Sequence, residues 1–239
     1  MEIELNDNFY KKKTFRQLLL VILYVVTGFP KSLLFYMRYF GIKGFKMPIL
    51  VSGKVKLKRM KGKVIITSDN WRFGMIKIGF PAPETYDNSN LSFVWLNVGT
   101  VIFEGKASIH NGSRFLNYGK IIIGNNFQVT ATATIICYKK IKFGDNVLIG
   151  WDCEFMDGDA HKIYSLEDTS NTRINENREI IIGNNVWFGS DSKVLKGVEI
   201  GNDVIIASGS ILTKKYPICN VIIGGSPAKI LKHKIVWRI

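Results

Sequence analysis

From residue 182 an aliphatic or aromatic side chain recurs at every sixth position: Ile182, Phe188, Val194, Ile200, Ile206, Leu212 and Ile218. A helix repeats every 3.6 residues and a strand every 2, so neither alone produces this register. Short strands joined by tight corners do, with three strands to one turn of a coil and each anchor pointing inward. Gly183, Gly189, Gly201 and Ala207 follow their anchors, where a bend in the backbone favours a small residue. Four positions after the anchors stand Val186, Ser192, Val198, Val204 and Ser210, all small or β-branched.

Upstream the same spacing appears in three sets: Phe103, Ile109 and Phe115; Ile123, Val129 and Ile135; Phe143, Ile149 and Phe155. The sets lie 20 residues apart, which is three six-residue faces plus two corner residues. Their openings are alike: Ile123-Gly124-Asn125-Asn126, Phe143-Gly144-Asp145-Asn146, then Ile182-Gly183-Asn184-Asn185 and Ile200-Gly201-Asn202-Asp203. Ile76 and Ile78 are candidates for an earlier, irregular coil.

The chain of 239 residues is 46% hydrophobic and 22% charged, which excludes a mostly disordered chain and a polytopic membrane protein. Its charge of +14 is uneven: residues 1–63 hold 14 basic side chains against Glu2, Glu4 and Asp7. The basic, partner-seeking surface is therefore N-terminal. Residues 14–40 combine apolar side chains with Arg16, Lys31 and Arg38 and break at Gly28 and Pro30, which predicts two short helices. Aromatic residues such as Tyr24, Phe29, Tyr36 and Phe40 among cations suit an anionic membrane surface. Packing on the body or on a partner subunit is the other reading. The apolar run Leu18–Val26 is too short to span a bilayer and no cleavage site follows it. The basic run Lys54–Lys63 comes with no nucleic-acid module, so no nucleic-acid partner is expected. Three cysteines, Cys137, Cys153 and Cys219, without a CxxC, read as small buried thiols of a reducing compartment.

The strings FGDNVLIGWDCEF, IIGNNVWFGS, GVEIGNDVIIASGSILTK and IIGGSPAKIL resemble the hexapeptide-repeat acyltransferases. The resemblance covers roughly residues 75–231 and is nearest to galactoside and maltose O-acetyltransferases and to those of surface-polysaccharide assembly. It implies an all-β fold, a left-handed parallel β-helix, here preceded by a helical segment. Handedness comes from the resemblance alone; the usual rule for parallel crossovers gives the other hand. The resemblance also implies a homotrimer with active sites between neighbouring protomers, and acetyl-CoA as cosubstrate.

The repeat breaks once, between Phe155 and Ile182, in a polar stretch too long for one coil. A long loop on a rigid scaffold is a functional element. At its base stands His161. Transfer to a hydroxyl needs a base for the alcohol proton, and histidine suits that near neutral pH. The resemblance puts the catalytic histidine on this loop, and His161 occupies the matching place with one inserted residue. Asp157 and Asp159 precede it at alternate positions, and Asp159 is favoured to orient the imidazole, with a backbone carbonyl as the alternative. The widely spaced His110, His161 and His233 argue against a zinc site, and no metal is expected. By resemblance, the backbone N–H of Ser190 holds the oxyanion and Trp187 lines the donor or acceptor channel. The pantetheine arm would bond backbone groups near Gly189, Ala207 and Ser208. Thr213, Lys214 and Lys229 match phosphate-end motifs, with Lys215 beside them and Lys232 as an addition. Lys215-Tyr216-Pro217-Ile218 departs from the usual acidic-Ile-Pro-Pro. The family's acceptor-contacting asparagine falls near Thr130, with Gln128 close by, so a simple galactoside is not the expected acceptor.

The expected organisation is a basic, aromatic helical segment over 1–45, the β-helix over 46–224 with its loop at 156–181, and a tail over 225–239. The expected activity is acetyl transfer from acetyl-CoA to a sugar hydroxyl of a glycan or glycolipid precursor, in the cytoplasm and peripheral to the inner membrane face. N-acylation of an amino or nucleotide sugar, or a non-catalytic scaffold in polysaccharide assembly, are the alternatives.

Overall fold

Each six-residue step becomes one short strand and one corner. The computed structural model describes residues 15–41, 46–81, 91–167 and 171–238. The Lys11–Lys13 run lies outside them. Helix α1 (Phe15–Phe40) is followed by coils of three strands. The first coil is β1 (Ile49–Val51), β2 (Val55–Met60) and β3 (Lys63–Ile66); the second is β4 (Ile76–Phe80), β5 (Phe93–Asn97) and β6 (Thr100–Phe103). The third is β7 (Ala107–His110), β8 (Arg114–Asn117) and β9 (Lys120–Ile123); the fourth is β10 (Phe127–Val129), β11 (Thr134–Cys137) and β12 (Lys140–Phe143). Then come β13 (Leu148–Ile149), β14 (Glu154–Met156) and β15 (Ile180–Ile182), and β16 (Val186–Phe188), β17 (Lys193–Leu195) and β18 (Glu199–Ile200). The stack ends with β19 (Val204–Ile206), β20 (Ile211–Leu212), β21 (Val221–Gly225) and β22 (Ala228–His233).

Successive coils pair in parallel, strand on strand, so three sheets form the walls of a prism. Sheet 1 runs from β1 through β4 and β7 to β19 and β21, sheet 2 from β2 to β20, and sheet 3 from β3 to β18. The C-terminal segment adds β22 antiparallel to β21. Anchors point inward as the spacing demands. Phe103, Phe143, Phe155, Phe188, Val194 and Leu212 are all completely buried. Consecutive anchor rings climb the axis, Phe143 to Phe155 at 5.2 Å and Phe155 to Phe188 at 5.0 Å. Each buried ring stabilises the stack by roughly 1.5–3 kcal/mol.

The recurring Gly-Asn/Asp-Asn/Asp triplet has a direct structural meaning. Its second residue turns the side chain onto the coil below: Asn125 Oδ1 accepts from the Lys106 N–H, Asp145 Oδ1 from Asn125, Asn184 Oδ1 from Asp145, and Asn202 Oδ1 from Asn184, at 2.7–3.0 Å. Its third residue takes the left-handed conformation that closes the corner, at Asn126, Asn146, Asn185 and Asp203 (φ 53–57°), where Asn and Asp are tolerated best after glycine. Cys219 stands last on this ladder, its Sγ accepting from the Asn202 N–H at 3.3 Å. It is exposed, whereas Cys137 and Cys153 are buried as expected. The ladder runs on the outside of the corner, so its last rung faces solvent.

The N-terminal expectation needs a second correction. In place of two short helices, α1 runs unbroken through Pro30. Packing overrides the local penalty of proline. Phe35 and Tyr36 are fully buried. Ser32 Oγ donates to the Val51 carbonyl at 3.1 Å and accepts the Val51 N–H at 2.8 Å, which clamps the helix to β1.

Candidate active site

Residues 157–179 leave the coils between β14 and β15. The departure point is Asp157, which is fully buried. Its Oδ1 accepts the Tyr138 N–H at 2.6 Å, and its Oδ2 accepts the N–H groups of Lys139 (2.8 Å) and Lys140 (2.7 Å). This carboxylate secures a corner of the coil below and is committed there, away from any imidazole.

Beyond Asp157 the loop folds back on itself. Tyr164 and Arg173 form an antiparallel bridge, and the Ile174 N–H donates to the Ile163 carbonyl at 2.9 Å. Buried Asn175 is the hub. Its Oδ1 accepts from the Ile163 N–H (2.8 Å) and from Arg173 Nε (3.1 Å). Its Nδ2 donates to Asp159 Oδ2 and to the His161 carbonyl, both at 2.8 Å. His161 is thus held through its backbone, because its N–H also donates to the Asp159 carbonyl at 2.6 Å. Its side chain is exposed. Asp159 links to His161 by main chain, while its carboxylate is hydrogen-bonded to Lys196 and Asn175. The Lys196 hydrogen bond, helped by Asn175 and against the opposing effect of partial burial, holds Asp159 below the usual carboxylate range. Neither Asn175 nor Lys196 was anticipated from the sequence. An asparagine in a polar loop carries no periodic signal, and Lys196 lies 35 positions from His161.

A second group of candidates lies at the corner where sheet 1 meets sheet 2. Among the described residues nothing accepts the Ser190 N–H or the Ser208 N–H. The two are stacked behind glycines: a Cβ on Gly150 would stand 2.8 Å from the Ser190 nitrogen, and one on Gly189 would stand 2.6 Å from the Ser208 nitrogen. Gly189 and Ala207 differ from the expectation of free backbone donors. Their N–H groups already donate to Ile206 and Ile223 at 2.8 Å, as the coil-to-coil ladder requires. Trp187 points outward from β16, 40% exposed, with its ring 6.0 Å from that of Trp237. Trp237 is anchored by Nε1 donating to the Asn185 carbonyl at 2.7 Å, a partner that the repeat does not announce. Thr213, Lys214, Lys229 and Lys232 are all exposed near the last coils. Lys214 lies over the Tyr216 ring at 5.7 Å, and Lys215 is paired with Glu199 at 3.0 Å.

The two groups do not converge within one chain. Ser190 opens onto β17 from one corner. Lys196, which grips the His161 loop through Asp159, follows β17 at the next corner. Strand β17 and the two residues before it separate Ser190 from Lys196, a reach of up to about 20 Å at ~3.3 Å per residue.

A cavity of about 490 Å³ opens on sheet 1 beside α1, with Val25, Phe73 and Phe80 as apolar wall and Lys77, His110 and Gln128 as polar lining. His110 Nδ1 lies 3.1 Å from the Thr130 carbonyl. That carbonyl can only accept, so Nδ1 carries the proton. The buried thiols are chemically quiet. Burial, reinforced by Asp157, raises Cys137 far above its ordinary value, and burial pushes Cys153 up to about 11.

Comparison with known proteins identifies the architecture. The bacterial transferase hexapeptide (six repeats) model matches residues 179–214. Galactoside O-acetyltransferase of Escherichia coli (strain K12) is 34% identical over 125 residues, 50% of this chain and 57% of that protein. A relative from Staphylococcus aureus (strain COL), provisionally named an acetyltransferase, is 32% identical over 147 residues, 52% of this chain and 73% of its own. The crystal structure of the polySia specific acetyltransferase NeuO aligns with a TM-score of 0.53 at 26% identity, covering 80% of this chain and 79% of that one. The chain belongs to the hexapeptide-repeat acyltransferase family, with its left-handed parallel β-helix. It spans about half the length of the first curated relatives that it matches.

Proposed function

We propose that this protein transfers an acetyl group from acetyl-CoA to a hydroxyl of a sugar in a glycan or glycolipid precursor, with His161 as general base. The observation that carries the reading is His161 itself. Its backbone is fixed on both sides by Asn175 and Asp159, and its ring is open at the base of the long loop. A neutral imidazole nitrogen takes the hydroxyl proton as the oxygen attacks the thioester carbonyl. The tetrahedral oxyanion is held by the uncommitted Ser190 N–H. Collapse breaks the carbon–sulfur bond, and the imidazolium returns the proton to the coenzyme A thiolate. Trp187 and Ser208 line the donor path, and Thr213, Lys214 and Lys229 receive its phosphates. The E. coli and Neisseria meningitidis relatives named as polysialic acid O-acetyltransferases support a sugar acceptor, and Gln128 in the sheet 1 cavity is the candidate contact.

His161 and Ser190 stand at different corners, so the active site is completed by a second copy, in a homotrimer. An outward column of half-buried apolar side chains on sheet 2, Leu96, Leu116, Ile136, Met156 and Leu195 in register, supports such packing. The acetyl-CoA donor and the free thiols fit a cytoplasmic setting. The test is His161→Ala. Acetyl transfer to a glycan acceptor is expected to fall by roughly 10²–10⁴, with coenzyme A affinity and the melting temperature unchanged. Full retained activity refutes the mechanism, and a wild-type protein that does not bind coenzyme A refutes the enzyme reading.

A further inference from the structure

Helix α1 presents three distinct faces. One is buried against the prism: Gly28, Ser32, Phe35 and Tyr36. A second runs along the first coil at seven-residue intervals. Lys54 Nζ lies 5.9 Å from the centre of the Tyr24 ring, Lys31 Nζ donates to the carbonyls of Gly53 and Val55, and Arg38 donates to the Lys61 carbonyl at 3.0 Å. The third, opposite the core, holds Leu19, Ile22, Leu23, Val26, Leu34 and Met37, each between 49% and 63% exposed. A helix at a protein–water boundary carries polar residues on that side. Among the described residues nothing covers this one, and Phe73, 63% exposed, extends the apolar surface beyond the helix.

Charge indicates what covers it. Residues 15–68 contain no Asp or Glu and eleven Lys or Arg. Strand β2, the turn after it and the start of β3 expose Lys56, Lys58, Arg59, Lys61 and Lys63 beside the helix. A second copy seated on this face would bring the same cations against one another. An anionic surface would neutralise them while the stripe leaves water. No helix among the described residues is long and apolar enough to cross a membrane, so α1 is suited to lie in the interface.

We propose that this end of the prism docks on an anionic lipid surface, with the Leu19–Met37 stripe at the acyl boundary and the β2 cations on the headgroups. The proposal stands independently of the transfer reaction. Its test is co-sedimentation of the full chain with vesicles of phosphatidylcholine, with and without about 30 mol% phosphatidylglycerol. Binding is expected to be at least about tenfold stronger to the anionic vesicles and to fall as salt rises from about 0.1 M to about 0.5 M. Leu23→Glu with Val26→Glu should reduce binding at least about tenfold. Lys56→Gln with Lys58→Gln and Arg59→Gln should weaken it and flatten its salt dependence. These side chains are exposed, and unchanged circular dichroism and melting verify the fold of each variant. Equal binding to both vesicle types, or full binding by the Glu variant, overturns the proposal. So does a Glu variant that sediments as a smaller oligomer than wild type in lipid-free buffer, which would assign the face to another copy.

Discussion

Two corners of the prism are stitched by side chains in opposite ways. Where sheet 3 turns into sheet 1, the stitching is on the surface and the rungs are alike until Cys219 takes the last place: an Asn or Asp oxygen receives one backbone N–H of the neighbouring coil. Where sheet 2 turns into sheet 3, it is internal and no pattern persists. Asn97, Asn117, Cys137 and Asp157 stack in consecutive coils, all completely buried. Asn117 Nδ2 donates to Asn97 Oδ1 at 2.8 Å, and the Cys137 thiol donates to Asp157 Oδ2 at 3.5 Å. The outer ladder can be extended indefinitely. The inner one ends on a carboxylate that gathers three N–H groups from the coil below, and there the chain leaves as the His161 loop. Repetition builds the scaffold, and the rung that breaks it launches the candidate chemistry.

The sharpest way to break this comparison is Asp157→Ala. It leaves three part-buried N–H groups without their acceptor, and a loss of about 2–4 kcal/mol is expected in urea unfolding. Asp157→Asn keeps one accepting oxygen and should lose less. A loss under about 1 kcal/mol for the alanine variant would place the inner corner on a par with the outer one. Next comes Gly119→Ala, at the same inner corner. Its Cβ would stand 2.5 Å from the Lys139 carbonyl oxygen, and displaced backbone costs roughly 1–3 kcal/mol. Gly209→Ala serves as its control: the site is open but φ is +69°, so only the left-handed conformation is penalised, by about 1–2 kcal/mol. If both variants melt alike, close approach adds nothing. On the outer ladder, Asn184→Ala removes one acceptor at the surface, where water can replace it, and about 0.5–1 kcal/mol is expected.

The same contrast explains what could be read from the chain. A repeating coil writes the same residues at the same interval. Anchors such as Phe143, Phe155, Phe188 and Val194 are therefore both periodic and buried, and the Ile-Gly-Asn-Asn openings mark real corners. His161 is a candidate because it stands where the repeat stops. The first coils were barely visible. Their strands are unevenly spaced along the chain, so Ile76 and Ile78 appear without companions. The sequence predicts two helices in place of α1 because Gly28 and Pro30 oppose a helix locally. The Ser32–Val51 clamp is a tertiary effect. Asn175, Lys196 and Trp237 are partners chosen by three-dimensional proximity, and nothing in their neighbourhood in the chain announces them.

The smallest expected effect concerns the contact between the loop and the scaffold. Asp159 is held below the usual carboxylate range, chiefly by its hydrogen bond from Lys196. A carboxyl whose folded pKa is depressed contributes stability above its unfolded value, and that contribution disappears as pH falls through the folded one. The side chain is 37% exposed, so solvent screening keeps the contribution below about 1 kcal/mol. Comparing wild type with Lys196→Met isolates it. The melting-temperature difference should be constant from about pH 7 to about pH 5, and should close below about pH 4, near the ordinary aspartate value. Asp157, fixed by backbone donors instead of a lysine, is present in both proteins and cancels. A difference that persists unchanged to about pH 2 would mean that Lys196 acts through its packed aliphatic stem and not through its ion pair with Asp159.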